Sequence, residues 1–154
     1  MENISLLGRL VLAGRPALAR ARVPGTTRLL ERGLSKAQGR SVVTLPSKVR
    51  MDIDFADRVQ RAEAFWAYES GELRALGRLV RPGDIVLDLG GHVGYHALHL
   101  ARAVGRAGKV LTFEPNPANL VQLRRNIALN PELPIQVVAA AAGRAGGTAA
   151  FGPV

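Results

Sequence analysis

Residues 84–100, D-I-V-L-D-L-G-G-H-V-G-Y-H-A-L-H-L, constrain this chain more than any other stretch. Ile85–Leu89 is a short run, apolar except for Asp88, of the kind that forms a strand covered on both faces. Residues 90–94 follow as a glycine-rich turn. Residues 94–106 then take up a helical period, with Tyr95, Leu98, Ala101 and Val104 on one face. Gly108 closes a turn, and Lys109–Phe113 reads as a second strand. Asn116-Pro117 opens the next helix, with Asn as N-cap and Pro in the first helical position. Leu120, Leu123 and Ile127 mark its buried side, and Asn130-Pro131 stops it. Ile135–Val138 is a third strand. Strand, helix, strand, helix, strand predicts an α/β fold, an open parallel sheet with right-handed crossovers.

The preceding residues have a different character. Residues 42–45 are apolar and β-branched, Pro46-Ser47 marks a turn, and residues 49–54 alternate. Val49, Met51 and Ile53 fall on one face and Arg50, Asp52 and Asp54 on the other, which predicts a β-hairpin. Residues 56–68 read as a helix with Val59, Ala62, Phe65 and Trp66 on its buried side. Residues 71–80 read as another, with Leu73, Leu76, Leu79 and Val80 as its apolar positions, ended by Arg81-Pro82-Gly83-Asp84. Residues 3–22 have the pattern of a basic amphipathic helix through Ile4, Leu7 and Val11, kinked at Pro16, and residues 26–36 that of a shorter one.

Composition narrows the function classes. The chain has 154 residues and a formal net charge of +9. Residues 1–50 carry ten Lys/Arg against two acids, and all seven aromatics lie after residue 50. The charge thus belongs to a basic arm without rings to stack on bases or anchor in lipid headgroups, so no nucleic-acid partner is expected. With no Cys there is no disulfide framework, thiolate metal site or cysteine nucleophile. No apolar run approaches the ~20 residues of a membrane span, and residues 4–14 make a poor secretory signal. The expected location is cytoplasmic.

The chemistry centres on the glycine turn. A glycine turn between strand and helix lets a ligand approach the backbone closely at a helix N-terminus. Glu114, at the end of the second strand, stands where a carboxylate can accept both hydroxyls of an adenosine ribose. Asp88, two residues before Gly90, separates the classes of adenosine ligand. It would repel the pyrophosphate of a dinucleotide and attract the ammonium and sulfonium of S-adenosylmethionine. The turn also runs G-G-x-x-G rather than the dinucleotide pattern G-x-G-x-x-G. Against this stand plainer roles, Asp88 as a cap on the turn and Glu114 as a surface acid before Pro115. His92, His96 and His99 recur at helical spacing, but His92 is expected in the loop and no metal site is predicted.

The motifs D-L-G-G-H-V-G-Y, F-E-P-N-P and L-R-R-N-I-A-L-N resemble those of the FkbM-type methyltransferases, within the class I S-adenosylmethionine-dependent enzymes. The resemblance spans about residues 50–150. It implies a seven-stranded Rossmann-like sheet, S-adenosylmethionine as cofactor, and methyl transfer to a hydroxyl of a small metabolite or sugar. Asp88, Gly90, Gly91 and Gly94 match the cofactor loop, Glu114 matches the ribose-binding acid, and Asn116 with Pro117 completes that motif. Tyr68-Glu69 matches a lead motif toward the methionine end. Gly91-His92 replaces the family's usual Ala-Asn, with His92 still able to donate a hydrogen bond, and residues 139–142 offer no acid to an adenine amino group.

The domain reading is a basic helical arm over residues 1–40, a hairpin lead over 41–58, and the N-terminal, cofactor-binding part of a Rossmann-like domain over 59–154. Later strands carry the acceptor site and its base in such sheets, so no catalytic residue is named and the sequence is expected to be an incomplete methyltransferase. The alternatives are a non-catalytic half-Rossmann module holding an adenosine ligand or a partner, and a nucleic-acid-binding protein or nucleic-acid methyltransferase. An exposed sheet edge at the first parallel strand would favour self-association.

Overall fold

The computed structural model describes residues 39–64 and 70–148, which fall into two compact units divided between Glu72 and Leu73. The expected arm up to residue 38 and the positions Phe65, Trp66, Tyr68 and Glu69 lie outside the described residues, and Arg40, its last expected residue, opens the hairpin instead.

In the first unit, β1 (Arg40–Thr44) pairs antiparallel with β2 (Arg50–Asp54), with Val43 opposite Met51. The predicted hairpin is present. Val49, Met51 and Ile53 are buried, as their alternation requires. Asp52, expected on the open face, is buried as well. Arg40 accounts for this, reaching Asp52 at 3.1 Å and Asp54 at 3.4 Å across the hairpin. Helix α1 (Arg58–Ala64) starts where Asp57 Oδ1 accepts the Gln60 N–H at 2.9 Å. Its buried side is Gln60, Glu63 and Ala64, not the predicted Val59 and Ala62, which are half-buried. Gln60 is drawn inward because its Oε1 accepts the Asp54 N–H at 2.9 Å, satisfying the backbone where the strand ends.

Helix α2 (Ser70–Leu79) comes next, with Leu73, Leu76 and Val80 half-buried and Leu79 exposed. The Arg81–Asp84 turn is closed by the Arg81 N–H donating to Asp84 Oδ2 at 2.8 Å. Strands β3 (Ile85–Leu89), β4 (Lys109–Phe113) and β5 (Ile135–Val138) form a parallel sheet in the order β3-β4-β5. Helix α3 (Tyr95–Val104) crosses from β3 to β4, and α4 (Pro117–Ala128) from β4 to β5. This is the predicted α/β order. The predicted apolar face of α3 is the buried one, with Tyr95, Leu98, Ala101 and Val104 at most 4% exposed. Ala97, Leu100, Ala101 and Val104 form a core with Val110, against which Val86 and Ile135 pack from the flanking strands.

Among the described residues, strand β3 is covered on one face only, which corrects its reading as a strand covered on both. Ile85, Leu87 and Leu89 are 73%, 62% and 62% exposed, while Val86 and Asp88 turn toward the covered face. Right-handed crossovers that step in one direction across a sheet place their helices on the same side, and α3 packs on the face to which Val86 and Asp88 turn. The outer edge of β3 pairs with no strand among the described residues.

Candidate functional site

The carboxyl ends of β3 and β4 lie side by side, in register from Ile85–Lys109 to Leu89–Phe113. The chain leaves β3 through Gly90, whose φ of 92° is open to glycine and unfavourable to other residues. The N–H groups of Gly90 and Gly91 both donate to Phe113 O at 2.9 Å, which ties the turn to β4. Gly91 lies so close beneath Thr112 that an added Cβ would collide with its Oγ1. Gly94, at φ 97°, leads into α3, and a Cβ there would stand 2.8 Å from Leu123 Cδ1 of α4. The three glycines are therefore required by backbone conformation, by close packing, or by both.

His92 also has a positive φ, 47°, in the left-handed region that is uncommon for residues other than glycine and that Asn, Asp and His visit more readily than most. Its backbone is engaged, the N–H donating to Glu114 Oε2 at 2.7 Å, and its residue surface is exposed. The helix begins only at Tyr95, so His92 stands in the loop as expected and apart from His96 and His99. His99 instead pairs through Nδ1 with Tyr95 O at 2.7 Å. Among the described residues, no group of three His, Asp or Glu could hold a metal ion.

Glu114 is buried, 5% exposed, and organises the loops around it. Besides His92, it accepts the Asn116 N–H at 2.8 Å and Asn119 Nδ2 at 3.3 Å, both on Oε1. A carboxylate has about four lone-pair sites, so this leaves roughly one, on Oε2. The sequence signals the acid but not this bracing role. Asn116 caps α4 as predicted, its Oδ1 accepting the Ala118 N–H at 2.9 Å.

Asp88 sits partly buried at the end of β3. Its Oδ2 accepts a hydrogen bond from Thr112 Oγ1 at 2.8 Å, and among the described residues Oδ1 accepts none. Burial raises the Asp88 pKa above the usual carboxylate value of 3.8, with Thr112 and His96 opposing the rise and Glu114 adding to it. Sequence reasoning missed Thr112. The register pairing of Asp88 with Thr112 was its only signal, and a strand sequence does not print register.

The structure thus brings Asp88, Gly90, Gly91, His92, Gly94, Glu114 and Asn116 to one end of the parallel sheet, while Glu69 lies outside the described residues. Open α/β sheets bind ligands in this position, beyond the carboxyl ends of the strands.

No family model matches the chain, and no curated protein is similar to it in sequence at a significant level. Solved structures do resemble it. TYW2 of M. jannaschii in complex with AdoMet superposes with a TM-score of 0.54 at 18% identity, over 67% of this chain and 44% of that one. A Pyrococcus horikoshii protein described as a transferase gives 0.51 at 19% identity, over 66% and 36%. A protein-L-isoaspartate O-methyltransferase gives 0.45 at 24% identity, over 48% and 24%. The chain therefore spans less than half the length of each of these proteins. The likeness establishes the fold as Rossmann-like.

Proposed function

We propose that this chain is the S-adenosylmethionine-binding part of a methyltransferase of the FkbM type, acting on a hydroxyl of a small metabolite or sugar. The carrying observation is the pair of carboxylates, Asp88 and Glu114, at adjacent strand ends around a turn with Gly90 and Gly94 at positive φ. The fold is common to dinucleotide and methyl-donor proteins, so the charge of the site has to discriminate between them. Asp88, beside the turn, repels a pyrophosphate and attracts an ammonium or sulfonium, whereas Glu114 suits the ribose of either class.

The residues fit the cofactor's two ends. Asp88 Oδ1 is the acceptor for the ammonium, and Glu114 Oε2 the acceptor for a ribose hydroxyl. Glu114 already takes three donors, so accepting both hydroxyls would require the Asn119 amide, its longest contact at 3.3 Å, to give way. When bound, S-adenosylmethionine supplies a methyl group made electrophilic by its sulfonium. The chain's own part is to orient that group and hold it at the sheet end. The resemblance adds Glu69 toward the methionine end, and a β3 edge that pairs with no strand among the described residues supports self-association as a further expectation.

Calorimetry with S-adenosylhomocysteine and with NAD tests this reading. S-adenosylhomocysteine should bind and NAD should not, and Asp88→Ala and Glu114→Ala should each abolish binding. Unchanged binding in both variants, or a preference for NAD, overturns it.

A further inference from the structure

We propose that Thr112 is the positioning residue for the Asp88 carboxylate, engaging Oδ2 so that Oδ1 is the acceptor presented to a cationic ligand group. This inference rests on the cofactor reading of Asp88 given above.

Four observations carry it. Thr112 and Asp88 are register partners on adjacent parallel strands, so their side chains leave the sheet on the same face. The Thr112 hydroxyl donates to Asp88 Oδ2 at 2.8 Å. Thr112 is 0% exposed, in a strand position where Val would have the same shape and no polar atom to satisfy. A buried hydroxyl is costly unless it is bonded, and this one spends its proton on Asp88. Finally, Gly91 rests directly on Thr112 Oγ1, so the hydroxyl touches the carboxylate on one side and the turn on the other.

The consequence is electrostatic as well as geometric. The charged and titratable groups acting on Asp88 are His96 of α3 and Glu114 beyond β4. Burial and Glu114 favour the protonated acid, and Thr112 and His96 favour the carboxylate. An ammonium is held by the carboxylate, so the hydroxyl keeps the site in its binding form at lower pH.

The test uses the full chain with Thr112→Val, which keeps the shape, and Thr112→Ser, which keeps the hydroxyl. In the ligand-free protein, a carbon-13 NMR titration follows the Asp88 carboxyl. Thr112→Val should move its midpoint upward by about one pH unit, and Thr112→Ser should leave it near wild type. An unmoved midpoint in Thr112→Val overturns the proposal.

Calorimetry then compares S-adenosylhomocysteine with methylthioadenosine, which lacks the amino-acid end. Thr112→Val should weaken the first on the order of tenfold, shift its acidic loss of binding to higher pH, and leave the second unchanged. Equal weakening of both would mean a purely structural role and overturns positioning. If neither nucleoside binds the wild type, the cofactor reading fails. The ligand-free titration then still decides whether Thr112 sets the state of Asp88.

Discussion

Burial makes the ionised form of Asp88 costly, and in the range between the ordinary value of 3.8 and its raised pKa the folded chain holds a proton that the unfolded chain has released. Stability therefore falls as pH rises through that range. Asp88→Asn should raise the urea midpoint of the ligand-free protein at neutral pH while abolishing S-adenosylhomocysteine binding. A lowered midpoint would contradict the account. His99 behaves oppositely, since burial lowers its pKa below 6.5. Below that value the unfolded imidazole takes a proton that the folded one refuses, so stability falls as pH falls. The urea midpoint should drop between neutral and mildly acidic pH, and His99→Gln should shrink the drop. At His92, φ of 47° ranks the substitutions. His92→Asn should match or exceed wild-type stability, and His92→Val should lose about 1–2 kcal/mol in urea unfolding.

Helix α4 shows how an element is fixed by both local and distant contacts. Its start is local, with the Asn116 side chain capping Ala118 and Pro117 in the first turn. Asn116→Ala should cost about 1 kcal/mol, measured by urea unfolding. That start was readable from Asn116-Pro117. Its buried side was readable only in part. Leu120 and Leu123 are buried as the helical period predicts, but the fully buried third position is Asn126 rather than Ile127. Asn126 Nδ2 donates to Val93 O at 2.7 Å, satisfying a carbonyl of the glycine loop 33 residues away. A hydrophobic pattern carries no sign of a buried amide whose partner is so far along the chain. Asn126→Leu should cost about 1–3 kcal/mol in the same experiment, through the carbonyl left unpaired.

Across the described residues strand β3 has one covered face and one bare one, and Leu87 stands mid-strand in the exposed row Ile85, Leu87 and Leu89. Exposed apolar strands with an open edge are association-prone. Leu87→Lys should therefore lower light scattering as the protein is concentrated. Val121→Lys, at a site on α4 that is 64% exposed and outside the sheet, should change it little. The sequence by itself determined the order of elements, because period, caps and glycine turns act over a few residues. It also placed the candidate charges, Asp88 and Glu114, at two strand ends. Tertiary structure alone decided that β3 has a bare face, that Arg40 buries Asp52, that Glu114 braces the loop through His92 and Asn119, and that Thr112 meets Asp88. Each of these depends on strand register or on which helix lies over which strand. Both are set by packing between segments far apart in the chain, and local periodicity does not encode them.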